Sequence, residues 1–81
     1  MHADYLVKMT NEIAAFFAAE AGPEATPREV AGHLRRFWDP RMRAQIIAHL
    51  AAGGEGLEPA ARHAVTLLAE ASKTAAPAKA G

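Results

Sequence analysis

No cysteine occurs in this sequence, which excludes disulfides, thiolate nucleophiles and thiolate-held iron–sulfur clusters. Long apolar runs are missing too; none approaches the roughly 20 residues that span a bilayer. The opening Met1-His2-Ala3-Asp4-Tyr5 lacks the basic-then-apolar pattern of a secretory signal, so the expected location is the cytoplasm. There is no excess of either charge sign: nine Lys and Arg balance nine Asp and Glu. Nonspecific nucleic-acid binding needs a surplus of cations facing phosphates, so balance argues against it. Period-two alternation is absent, which leaves no candidate strand.

What remains is helix. Apolar residues make up 51% of 81 positions, many of them alanine, so the core of one small domain is thin and its stability as an isolated chain is expected to be marginal. From about Asp4 to Ala19 or Glu20, the residues Leu6, Met9, Ile13, Phe16 and Phe17 recur at three and four and define a buried stripe. Gly22-Pro23 ends that helix. The second helix opens on Thr26-Pro27 with Glu29 three after Thr26, the pattern of a capping box. Its Val30, Leu34 and Phe37 share a face, and it ends near Phe37-Trp38 because residues before a proline avoid the α region. Asp39-Pro40 repeats the start signal for a third helix with Met42, Ile46, His49 and Leu50 on one side, closed at Gly53-Gly54. A fourth opens at Pro59, with Leu57 as a staple and Ala60, Ala64, Leu67, Leu68 and Ala71 as a shallow apolar face. The expected architecture is all-α: a compact bundle of about four short helices over 1–71, followed by a flexible tail over 72–81, where Lys, Thr, Ala, Pro and Gly dominate.

Catalytic and metal chemistry find little support. His2, His33, His49 and His63 lie in separate segments, and no His-x-x-x-His or Glu-x-x-His pair occurs. None of Thr66, mid-helix, and Ser72 and Thr74, in the tail, has a local His or Lys arrangement that suggests an activated nucleophile. Gly53-Gly54-Glu55-Gly56 follows a helix rather than a strand and lacks the Gly-Lys-Ser/Thr continuation of a phosphate loop, so it reads as a hinge. No catalytic residue, cofactor or metal site is expected.

The unusual stretch is Arg35-Arg36-Phe37-Trp38-Asp39-Pro40-Arg41-Met42-Arg43. Four Arg surround the only Trp. It is either a helix–helix corner with Trp38 plugging the core, or a protein interface, since Trp and Arg are enriched in binding hot spots. Arg35, Arg36, Phe37, Trp38, Arg41 and Arg43 are therefore the candidate interface residues.

At this corner the sequence takes on a family likeness. Phe37 to Gln45, continuing through Ala51-Ala52-Gly53-Gly54-Glu55-Gly56-Leu57, resembles the delta subunit of soluble NAD-dependent formate dehydrogenase. Met9-Thr10-Asn11-Glu12-Ile13-Ala14-Ala15-Phe16-Phe17 resembles that family's opening stretch, a Met-x-Asn-x-Ile-Ala core followed by paired aromatics. The likeness covers roughly residues 5 to 70. One departure is Glu58, where an Asp before the helix-opening proline is expected. The resemblance implies a noncatalytic accessory subunit of a cytoplasmic complex that oxidises formate and reduces NAD. In that family the alpha subunit holds a molybdenum or tungsten centre and iron–sulfur clusters, and the beta and gamma subunits carry flavin mononucleotide, clusters and the NAD site. The delta subunit carries no redox cofactor and supports assembly, stability or full activity, with the alpha subunit as the expected partner. The alternative is a small helical adaptor or regulatory protein, a nucleic-acid binder among the options.

Overall fold

The computed structural model describes residues 3–80, with side chains through Ser72. Four helices follow one another: α1 (Ala3–Ala21), α2 (Thr26–Phe37), α3 (Pro40–Ala51) and α4 (Pro59–Ala80). The all-α bundle read from the sequence is the fold. The tail expected over 72–81 falls, beyond Ser72, outside the described side chains.

The most extensive packing joins α2 to α4. Ala61 and Ala64 are fully buried, and their small side chains let α2 approach closely enough to bury Val30 and Leu34 completely. Val65 and Leu68 complete that face of α4, while Ala60, Leu67 and Ala71 are only half-buried. The buried face is thus turned by about one residue from the expected one. Ile46 anchors α3, and Leu57 covers the open end of the core as the staple reading required.

The stripe on α1 is also turned. Leu6, Val7, Thr10 and Ala14 are buried, whereas Met9, Ile13 and Phe17 are half-buried and Phe16 is exposed. Small or β-branched residues let α1 approach its neighbours, and the larger side chains are displaced toward one edge. Thr10 tolerates burial because its hydroxyl donates to the Leu6 carbonyl at 2.7 Å.

The helix ends differ in how well composition foretold them. Asp39 caps α3 as expected, its Oδ1 accepting from the Met42 N–H at 2.9 Å. The capping box on α2 does not form. Ala25 is the N-cap, with no side-chain cap bond; Thr26 is buried, and its hydroxyl donates instead to the Gly22 carbonyl at 2.7 Å. A buried hydroxyl needs a partner, and Gly22, at φ +89°, turns its carbonyl within reach. The C-terminus of α3 closes as a Schellman motif. Gly54 N–H donates to His49 O at 2.9 Å and Gly53 N–H to Leu50 O at 3.0 Å, with both glycines at positive φ.

The segment after that motif is no hinge. His49 Nε2 lies 2.7 Å from Glu55 O, Arg62 Nη2 donates to Gly54 O at 3.0 Å, and Asn11 reaches across from α1. The Asn11 amide donates to Gly56 O at 2.9 Å and accepts from Glu58 N–H at 3.0 Å. A free loop with several glycines would be costly to order; four anchoring side-chain atoms make it a fixed strap. Asn11→Ala removes both bonds and is expected to lower stability by about 1–2 kcal/mol, read as a lower urea midpoint by far-UV circular dichroism. An unchanged midpoint would show that the strap holds without α1.

Candidate docking surface

The arginine corner separates into two kinds of residue. Trp38 is 5% exposed and belongs to the core. Its backbone is extended, at φ −87° and ψ 143°, which ends α2 and turns the indole inward. Arg43 is half-buried. Its Nη1 donates to the Trp38 carbonyl and, at 3.2 Å, to the Arg35 carbonyl. These two carbonyls lie at the end of α2, where the helix leaves acceptors unpaired, so the guanidinium serves as a cationic C-terminal clamp. Arg35, Arg36, Phe37 and Arg41 are exposed. The six candidate interface residues therefore divide into two that hold the corner and four that face outward.

The geometry that sequence reading missed lies beside this corner, between α1 and α2. Phe37 is 68% exposed and Phe16 58% exposed, although both were placed on buried stripes. A ladder of rings connects them. Phe16 and Phe17 meet edge-on at 5.2 Å between centroids, Phe17 and His33 at 6.0 Å, and His33 and Phe37 at 4.8 Å. These spacings suit the quadrupoles of aromatic rings. Met9, Glu12, Ile13, Phe16, Phe17 and His33 line an open groove of about 300 Å³ along the ladder. A signal for it existed. Consecutive aromatics on a helix point about 100° apart, so Phe16-Phe17 cannot both face one core. Likewise, the chain leaves the helix between Phe37 and Trp38, and only Trp38 turns inward.

No group of three or more His, Asp or Glu side chains suited to a metal ion occurs among the described residues. His33 stacks between rings, His49 binds a loop carbonyl and His63 is exposed. Among the described residues no helix is long and apolar enough to cross a membrane.

No curated protein and no solved structure matches the chain significantly. A family model does: that of the NADH-dependent formate dehydrogenase delta subunit FdsD matches residues 5–65. That span runs from the start of α1 into α4 and takes in the aromatic ladder, the arginine corner and the Asn11 strap. With three-quarters of its length matched in this way, the chain belongs to the FdsD family of formate dehydrogenase delta subunits.

Proposed function

We propose that this chain is a noncatalytic accessory subunit of a cytoplasmic, molybdenum- or tungsten-dependent, NAD-linked formate dehydrogenase complex. It docks on the larger subunits, the molybdenum-containing alpha subunit foremost, and supports their assembly, stability or full activity. The family match over residues 5–65 supplies the complex, and the observation that carries the docking role is the pair of exposed phenylalanines. A domain this small has few large apolar side chains, and leaving two of them in water is costly at about 25 cal/mol per Å². An exposed aromatic face rimmed by polar residues marks a protein contact. Phe37 lies within four residues of the exposed Arg35, Arg36 and Arg41 in sequence, which can grip carboxylates or carbonyls with planar, bidentate geometry. The catalytic chemistry resides in the partner's cofactors.

The test is co-expression of the tagged chain with the formate dehydrogenase subunits of its host. Expected is co-elution with an assembly that contains iron and flavin and reduces NAD with formate. Elution of the chain alone, with the large subunits present and active without it, would overturn the reading. Phe37→Ser and Arg41→Ala are expected to fold normally and to lose retention on that assembly by about tenfold or more, the loss typical of hot-spot side chains.

A further inference from the structure

The groove between α1 and α2 also carries a charge signature. Glu12 lines it. Glu12 and Glu20 stand four residues before and four after Phe16, and Glu29 stands four before His33. Residues four apart share a helix face, so all three carboxylates border the aromatic ladder, and all three are exposed. On the same sector of α2 stands one cation, Arg36, three after His33, and on α1 Lys8 precedes Glu12 by four, so three carboxylates stand beside two cations. In a chain of zero net charge, an apolar trough whose rim holds more acid than base, away from the arginines near Phe37, is a local imbalance.

The geometry points to one occupant: a basic amphipathic helix of the partner protein. It inserts apolar side chains spaced i, i+4 and i+7 along the ladder and sets Lys or Arg against Glu12, Glu20 and Glu29. Three features select it. A trough between two helices accepts a third helix, whose anchors recur on one face. Met9, unbranched and polarizable, adapts to the shape of an inserted side chain. The carboxylates attract cations and repel acidic segments or phosphates, which gives the site its sign. A second copy of this chain fits less well. Two phenylalanines at these exposures, with their half-buried neighbours, offer roughly 300–500 Å², short of the ~800 Å² per partner in a stable interface. This inference rests on the accessory-subunit reading for the partner's origin, and on the groove alone for its chemistry.

Two measurements separate those parts. The isolated full-length chain is titrated, by nuclear magnetic resonance, with a synthetic helical peptide carrying Leu at i, i+4 and i+7 between Lys flanks. Controls are a twin with Glu flanks and a twin with Ser in place of Leu. Expected are shifts at Met9, Ile13, Phe17 and His33 with the Lys–Leu peptide, binding at least tenfold weaker for the Glu twin, and none for the Ser twin. The triple variant Glu12→Lys, Glu20→Lys, Glu29→Lys should reverse the preference between the flanks, and circular dichroism checks that it folds. Equal binding of both Leu peptides, binding of neither, or concentration-dependent self-association through this face would overturn the inference. In the second measurement the triple variant is co-expressed with the formate dehydrogenase subunits. Its loss, with the parent chain retained, supports the basic helix as the natural occupant; retention at the parent level refutes it and leaves the accessory-subunit reading standing. Failure of the parent chain to co-elute sinks that reading, and the peptide titration still decides the groove.

Discussion

Trp38→Ala is expected to unfold most of the isolated chain. Removing a buried indole costs about 3–5 kcal/mol, from lost transfer energy and the cavity left behind. Trp38 is part of the buried cluster with Leu34 and Ile46, and it is the side chain that ends α2 while filling the corner to α3. A small domain without disulfides stands near the lower end of the ~5–15 kcal/mol range, so a loss of this size consumes most of its stability. Urea unfolding followed by far-UV circular dichroism checks it, since the variant lacks the fluorophore. Trp38→Phe should recover much of the loss, because it keeps an aromatic body in the same space. A Trp38→Ala midpoint equal to the parent's would place Trp38 outside the core and return it to the list of contact residues.

Arg43 and Arg41, two positions apart on the same helix, should respond oppositely. Arg43→Ala leaves the carbonyls of Arg35 and Trp38 without their charged donor. Hydrogen bonds to charged groups contribute about 1.5–3 kcal/mol, and partial exposure places the expected loss in the lower half of that range. Arg43→Lys should recover only part of it, because both bonds come from the terminal Nη1 and the lysine side chain, one atom shorter, does not carry its nitrogen as far. Arg41 is exposed, and its replacement by alanine should alter folding by no more than roughly 0.5 kcal/mol. Thermal melts of the three variants give the ordering directly. If Arg41→Ala and Arg43→Ala melt together at the parent temperature, the clamp contributes nothing. If they melt together well below it, Arg41 has a structural partner.

These two arginines also show where sequence reading ends. Helix number and helix starts were legible because they depend on local chemistry: Pro27, Pro40 and Pro59 open helices, Asp39 caps α3, and Gly53-Gly54 closes it. The face each helix buries depends on what packs against it. Periodicity could not register that Ala61, Ala64 and Thr10 permit close approach and thereby turn the stripes of α1 and α4, which exposes Phe16. Thr26 and Glu29 carry the spacing of a capping box, yet a carbonyl from Gly22 captured the hydroxyl. The arginine corner was legible as unusual, and its family likeness with it, but not its division into clamp and outward-facing residues. That division is set by where the Arg43 guanidinium falls after the Trp38 turn. The acidic rim was legible only as scattered Glu residues until α1 and α2 were seen side by side.

The Asn11 strap bears on the order in which the chain assembles. Its two bonds join residues 45 and 47 positions apart, whereas the rings of Phe17, His33 and Phe37 meet within the first half of the chain. Nearby partners find each other sooner than distant ones, because the intervening chain must be ordered before a distant contact repays it. A growing polypeptide that has reached Phe37 already holds all the rings of the aromatic face, while Asn11 still lacks both of its partners. The surface offered to another protein is thus encoded ahead of the contacts that lock α1 in place. A kinetic experiment can see this sequence: Asn11→Ala should accelerate unfolding and leave the folding rate nearly unchanged, as for any interaction made after the transition state.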